Sequence, residues 1–506
     1  MHIGAKWVQL ARRHADRTAI IDDNGRWSYR QFVSRINRFG HAMRGLGLVA
    51  GDRVALMVPD IREYLEADYG TMSAGLVRVP LDPRLTRHEL IALMRHAGVS
   101  ALVSHVSFAE KIEGLTDEVE SLKSIITIGG PLRDALAYED VLGRASDGAL
   151  PEGDENDLAA LNFSGGTTGA PKATMLRHRN LMAVAQNTIH GFEIDADAVF
   201  LNVRPLWPIA QVILMSYLMA GATVVLGGRF DAEDFAAQVQ RTGATRTSLV
   251  PTQLVRFVEH VGAGDARLER LEAIHVGGSR IPPTVFEQAL NAIGPKIGVL
   301  YGLTEAPVTC YMPPRQLDCA PSERERLIHA VGRELFGYQV KISESADGSG
   351  DAASGEVLIR GDNVMAGYWG NETASQNALR DGWLHTGDIG QFDASGTLFI
   401  VGRLKDVIRS GSSSIVPKEV EDVIVRHPAV SEVAVLGVPD VEWGEAVTAF
   451  VVLKPGCVAS ETELQEHCRA HLASYKKPRA VRFVASLPRS HYGKVLQAQL
   501  IAQAAG

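Results

Sequence analysis

Short apolar runs rich in β-branched residues recur through the first 400 residues: RVALMVP at 53–59, LVRVPL at 76–81, SIITIG at 124–129, VFLNV at 199–203, ATVVLGG at 222–228, TSLVP at 247–251, AIHVGG at 273–278 and IGVLYG at 297–302. Stretches with helical spacing separate many of them. Buried strands alternating with helices predict α/β layers with mainly parallel sheets. Later runs at 338–342, 356–359 and 398–401 are divided by DGSG, DASG and similar turn residues, which favours antiparallel hairpins or a small barrel. After Arg403 the pattern restarts: helix-like PKEVEDVIVRH, strand-like SEVAVLGV and AVTAFVVL, then helix-like SETELQEHCRAHLASYKK. About 100 residues suffice for a compact α+β domain. The expected organisation is a large composite N-terminal domain, 1–403, and a small C-terminal domain, 404–506. No solenoid-length repeat or low-complexity tract interrupts it.

Residues 209–226, IAQVILMSYLMAGATVVL, approach the roughly 20 apolar residues that a membrane span requires. Gln211 and Ser216 interrupt the run, and Gly221 divides a helix-like part from the strand-like ATVVL. Buried α/β core accounts for both features, so no transmembrane segment is expected. The first twenty residues carry basic side chains without a sustained apolar run behind them, so no signal peptide is read and a cytoplasmic location is expected.

The 506 residues are 46% hydrophobic and 22% charged, an ordinary globular balance with room for more than one core. A formal charge of −8 argues against a nucleic-acid surface, which needs clustered Lys and Arg to displace counterions. Cys310, Cys319, Cys457 and Cys468 form no C-x-x-C pair and suggest a reducing compartment. His467, Cys468 and His471 share a helical spacing but lack a fourth ligand pattern. HELIALMRH at 88–96 has the wrong spacing for H-E-x-x-H, so no structural or redox metal is expected.

The candidate chemistry starts at residues 163–173, FSGGTTGAPKA. Ser164, Gly165, Gly166, Thr167, Thr168 and Gly169 place hydroxyls and bare backbone in one loop, with Lys172 close behind. N–H groups and hydroxyls can converge there on a phosphate without side chains blocking its approach. The Walker pattern G-x-x-x-x-G-K-[ST] fails, because Ala170 and Pro171 follow the glycines and Ala173 follows the lysine. A Gly/Ser/Thr surface linker is the plain alternative.

Taken with YGLTE at 301–305, HTGD at 385–388, GRLKD at 402–406 and PRSHYGK at 488–494, this loop resembles the adenylate-forming superfamily, specifically its AMP-forming acyl- and aryl-CoA synthetases. The pieces stand in that family's order, and GDRVALMVP and VRVPLDPRLTRHEL resemble its N-terminal region. The resemblance implies ATP and CoA as substrates, Mg²⁺ as the metal, and a carboxylic acid, hydrophobic aliphatic or aromatic, as the third reactant. It further implies that Ser164, Thr167, Thr168 and Lys172 hold phosphate, with Thr168 and Glu305 beside Mg²⁺. Tyr301 would stack on adenine, Thr304 would touch the α-phosphate, and Gly277, Gly278 and Ser279 would border the base. Asp388 would hold the ribose, with Arg403 next to it. Lys494 would be catalytic, and Lys405 the hinge about which a mobile C-terminal domain turns. Each motif also has a plain reading: YGLTE as a strand ending in a turn, Gly277–Gly278 as a tight turn, Asp388–Arg403 as a surface ion pair and Lys494 as one solvated lysine among many.

Two segments depart from the family's pattern. Where relatives read P-L-F-H-x-x-G, this chain has Pro205, Leu206, Trp207, Pro208, Ile209, Ala210 and Gln211. The histidine is missing, and Trp207 either walls an apolar acyl pocket or is simply buried. Where relatives read S-G-G-E-N-I-Y-P, this chain has Ser410-Gly411-Ser412-Ser413-Ser414-Ile415-Val416-Pro417. That change bears on the acceptor, leaving a carrier protein or another nucleophile as alternatives to CoA. A non-catalytic nucleotide-binding role and a homodimer also stay open.

Overall fold

The computed structural model describes residues 1–164, 172–207, 210–343, 354–411, 413–489 and 495–505. Thr167, Thr168 and Lys494 therefore lie outside the described residues, as does the side chain of Ser164. The chain divides into two units, Met1–Val340 with Ile359–Leu384, and Lys341–Leu358 with His385–Gly506.

The apolar runs of the first unit become two broad sheets. One has the order Arg333–Glu334, Cys310–Met312, Ile297–Tyr301, Ala273–Val276, Arg246–Leu249, Val199–Asn202, Thr223–Leu226, Thr18–Asp22, Gly25–Ser28. Its inner pairs are parallel, and antiparallel strands close both edges. The Gly25–Ser28 edge forms a hairpin with Thr18–Asp22 through Asp23 and Asn24. The second sheet has the order Gly367–Tyr368, Lys172–Arg177, Leu158–Ser164, Val77–Pro80, Arg53–Met57, Val99–His105, Ser124–Ile128, Leu136–Ala137. It too is mainly parallel, with antiparallel pairs only at the Lys172–Arg177 end.

The long apolar run splits as its pattern implied. Helix Ala210–Ala220 ends at Gly221, whose φ of +86° turns the chain into strand Thr223–Leu226. A Cβ there would lie 2.6 Å from the His14 ring, so close packing and backbone angle both demand glycine. Among the described residues no helix is long and apolar enough to cross a membrane.

In the second unit, Trp383–Phe392 pairs antiparallel with Leu398–Arg403 from Asp388 onward. A separate sheet follows, Ser413–Ile415, Ile408–Ser410, Gly444–Leu453 and Val430–Asp440, with Ala480–Phe483 parallel to Gly444–Leu453. Helices Pro417–Ile424 and Glu461–His471 bury Val420, Val423, Ile424, Leu464 and Cys468 against it. Spacings of three and four residues put these side chains on one helical face.

Two buried histidines of the first unit carry a pH consequence. His275, in strand Ala273–Val276, bonds Tyr217 through Nε2 at 2.6 Å and Tyr311 through Nδ1 at 2.9 Å. His178 stacks on His2 with ring centroids 3.8 Å apart. Burial, as the largest cause, pushes both imidazoles down to about 3. Their folded-state pKa lies below the unfolded value, so their contribution to stability is complete above about pH 6.5 and is lost as pH falls toward 3. Each histidine should contribute up to about 1.4 kcal/mol of destabilisation per pH unit in that window. Urea midpoints from pH 7 to pH 4 check this, and His275→Gln should show a shallower pH dependence than the wild type.

Candidate functional site

In open α/β sheets the carboxyl ends of parallel strands carry the ligand site. Strands Ala273–Val276 and Ile297–Tyr301 are parallel neighbours, with Val276 opposite Val299. Their ends therefore deliver Gly277-Gly278-Ser279 and Tyr301 side by side. A Cβ on Gly277 would lie 2.5 Å from Leu300 Cγ and 2.9 Å from the Leu300 carbonyl oxygen, so only glycine lets the segment pass so close. Gly278, next in the chain, takes a φ of +94°, which favours glycine as well.

Beyond Tyr301 the chain closes on itself: Leu303 N–H donates to the Ala306 carbonyl at 3.0 Å and Thr309 N–H to the Tyr301 carbonyl at 2.8 Å. Thr304 and Glu305 stand on this turn, both partly accessible. Met365 N–H bonds the Glu305 carbonyl at 2.8 Å, and the Tyr368 hydroxyl donates to Glu305 Oε1 at 2.8 Å. The Lys172 ammonium lies 4.9 Å from the centre of the Tyr368 ring. Lys172 and Glu305, far apart in sequence, thus meet through Tyr368. Sequence reading missed this tyrosine, because Gly367-Tyr368 looks like any strand dipeptide.

The strands that flank the glycine- and threonine-rich segment, Leu158–Ser164 and Lys172–Arg177, pair antiparallel, with Ser164 opposite Lys172 and Asn162 opposite Thr174. Asn162 leads into a polar interior. Arg78 and Asp68 are fully buried with Nη1 and Oδ1 3.3 Å apart, and Arg78 Nη2 donates to Asn162 Oδ1 at 3.3 Å. Burial, partly offset by Arg78, raises the Asp68 carboxyl to about 6. Arg78 lies in LVRVPL, where an apolar-run reading hides a charged residue.

The segment that departs from the family's acyl-pocket pattern is described as far as Trp207. Leu206 N–H donates to Asp60 Oδ1 at 2.7 Å, and burial pushes the Asp60 carboxyl to about 6. Trp207 is 9% exposed, and the Arg84 guanidinium lies 4.9 Å from its ring centre. Arg84 pairs with Asp82 at 3.0 Å. The tryptophan is thus buried beneath a cation.

In the second unit Asp388 and Arg403 face each other across an antiparallel pair, with Arg403 Nε 2.9 Å from Asp388 Oδ1. Asp388 is only 3% exposed, which removes the plain surface-pair reading for the carboxylate, although Arg403 is accessible. Glu356 braces the HTGD segment of strand Trp383–Phe392: Oε1 accepts the Gly387 N–H at 2.9 Å and Oε2 lies 2.7 Å from His385 Nδ1. Glu356 was missed because nothing local marks a residue 29 positions from its partner. Lys405 is exposed in the single turn Leu404–Asp406 between two strands.

Glu305 suits Mg²⁺ as one hard carboxylate oxygen donor, the ligand class that ion takes together with nucleotide phosphates. Its Oε1 is oriented by the Tyr368 hydroxyl.

The family model described as AMP-binding enzyme matches residues 7–369, and that of the AMP-binding enzyme C-terminal domain matches residues 419–494. This chain belongs to the AMP-binding enzymes, within the adenylate-forming superfamily. It is 30% identical to a medium/long-chain-fatty-acid–CoA ligase of Mycobacterium tuberculosis over 97% of this chain and 88% of that one. It is 32% identical to a feruloyl-CoA synthase of Amycolatopsis sp over 98% of each. Among solved structures it resembles ATP-bound MatB from Rhodopseudomonas palustris, with a TM-score of 0.88, 28% identity and 99% of both chains covered. It also resembles the amide bond synthetase McbA from Marinactinospora thermotolerans, with a TM-score of 0.89, 26% identity and 99% of both chains covered.

Proposed function

We propose that this chain is an AMP-forming carboxylate–CoA ligase acting on a hydrophobic aliphatic or aromatic acid. A carboxylate oxygen attacks the α-phosphorus of ATP and the bond to pyrophosphate breaks. The CoA thiol, losing its proton, then attacks the acyl carbon and AMP leaves. The observation that supports this reading is the meeting of Lys172, Tyr368 and Glu305 a few residues beyond the Tyr301 strand end, a cation, a carboxylate and an aromatic face of the kind that recognition of a nucleoside triphosphate with its metal uses. The fatty-acid and feruloyl relatives support the acid class.

In this reading Ser164, Thr167, Thr168 and Lys172 clamp the phosphates, and Tyr301, Gly277, Gly278 and Ser279 receive adenine. Asp388, oriented by Arg403, accepts hydrogen bonds from the ribose hydroxyls, and Thr304 touches the α-phosphate. Thr168 and Glu305 would hold Mg²⁺, which when bound neutralises phosphate charge. The Lys494 ammonium stabilises the charge that builds at the α-phosphate. Trp207 walls the acyl group, and Lys405 is the hinge of the 404–506 domain.

A second reading keeps the adenylation half but replaces CoA by an amine or a carrier-bound thiol. Its support is the likeness to an amide bond synthetase and the serine-rich 410–414 segment.

The test is pyrophosphate release with Mg-ATP across fatty, cinnamic and benzoic acids, followed by product analysis with CoA, a primary amine or a phosphopantetheinylated carrier. At least one acid should stimulate release and yield an acyl-CoA. Release with no acyl-CoA from any acid favours the second reading, and no acid-dependent release at all defeats both.

A further inference from the structure

Tyr368 lies outside the five motifs that carry the resemblance, though within the span the AMP-binding model matches. Its backbone is fixed on three sides: it pairs with Thr174 on the hairpin strand that carries Lys172, its neighbour Gly367 pairs with Met175, and its N–H donates to Ser375 Oγ at 2.8 Å. The side chain is 9% exposed and offers a different surface to each of two charged residues. The ring face receives the Lys172 ammonium at 4.9 Å, a cation–π contact, and the hydroxyl donates to Glu305 Oε1 at 2.8 Å. Because the segment before it also binds the Glu305 main chain through Met365 N–H, carboxylate and backbone of Glu305 are referenced to one strand.

We propose that Tyr368 is a positioning residue for the metal–nucleotide complex: its hydroxyl aims the Glu305 carboxylate at the divalent cation, and its ring sets where the Lys172 ammonium meets the phosphates. The inference rests on the ligase reading only for the presence of Mg-ATP. A carboxylate with one oxygen committed to a fixed hydroxyl presents the other in a restricted direction, and partners of this kind typically govern metal affinity about 10- to 100-fold. A phenol ordinarily titrates at about 10, so at neutral pH the Tyr368 hydroxyl keeps its proton and donates it to the carboxylate. Two functions on one side chain can be separated by two substitutions. Phenylalanine keeps the ring and loses the hydroxyl, whereas leucine loses both.

The experiment is calorimetric titration of ATP into the full chain with and without Mg²⁺, for the wild type, Tyr368→Phe and Tyr368→Leu, with near-ultraviolet circular dichroism to verify folding. Tyr368→Phe should bind metal-free ATP like the wild type but lose about tenfold of the Mg²⁺-dependent gain in affinity. Tyr368→Leu should bind ATP more weakly with and without the metal. A Tyr368→Phe variant whose Mg²⁺ gain equals that of the wild type overturns the proposal, as does a wild type that binds no ATP. If the wild type binds Mg-ATP and the split appears, but no acid releases pyrophosphate, the positioning role stands and the ligase reading falls.

Discussion

Lys494→Ala should reduce acid-dependent pyrophosphate release about 100- to 1000-fold, the range seen when one preorganised donor to a developing oxyanion is removed. Lys494 is the lysine to which the resemblance with AMP-forming synthetases gives the catalytic role, and the size of the expected loss is electrostatic in origin. As the carboxylate attacks, the α-phosphate passes through a pentacovalent arrangement with more charge on its oxygens than ATP itself carries. An ammonium held there stabilises that state more than the ground state, so its loss appears in kcat while the affinity for ATP changes little. Lys494→Arg should recover only a small part, because a planar fork cannot place a point charge where the compact ammonium sits. A synthetic acyl-adenylate offered with CoA bypasses the step and should be converted by the alanine variant at close to the wild-type rate. Undiminished pyrophosphate release in Lys494→Ala would remove the residue from the mechanism.

Arg78→Leu should destabilise the chain by about 3–5 kcal/mol, the cost of leaving a buried charge without its partner. Asp68 is fully buried, and its carboxyl already sits near 6 with Arg78 in place because burial outweighs the attraction. Without the guanidinium the folded-state pKa moves higher still. A carboxyl whose folded pKa is raised contributes stability in full below its unfolded value near 3.8, and that contribution is lost as pH rises through the folded value. The wild type should therefore show no further loss from this group above about pH 6, whereas Arg78→Leu should continue to weaken between pH 6 and 8. Arg78→Leu combined with Asp68→Leu should recover most of the loss and its pH dependence, since an apolar pair replaces two charges that were costly to bury. Guanidinium unfolding curves at three pH values decide it, and equal stability of the single and double variants would refute the account. Arg78 also holds Asn162, two residues before Ser164 of the proposed phosphate loop, so a weaker ATP affinity should accompany Arg78→Leu if that proposal is right.

Much of the fold was legible in the pattern of residues. A buried parallel strand must be apolar on both faces, so runs such as VFLNV and AIHVGG announce themselves. Gly221 separated helix from strand because glycine alone takes the required backbone angle without strain. The order of motifs was enough to name the superfamily, since the phosphate loop, YGLTE and HTGD each combine unusual residues at fixed spacing. The antiparallel edges Cys310–Met312 and Arg333–Glu334 were not foreseen, because strands of two or three residues are too short to show a period.

The sequence by itself determined the family, because five short motifs, none sufficient alone, stand in that family's order along one chain. Tertiary structure alone decided which charges meet. Tyr368 joins Lys172 to Glu305, Arg78 supports Asn162, and Glu356 braces His385 and Gly387 in the strand before Asp388, across separations of 29 to 196 residues. Local spacing constrains only what one helix turn or one hairpin brings together. Contacts between strands and loops distant in the chain depend on sheet order and register, which the packing of the whole core selects.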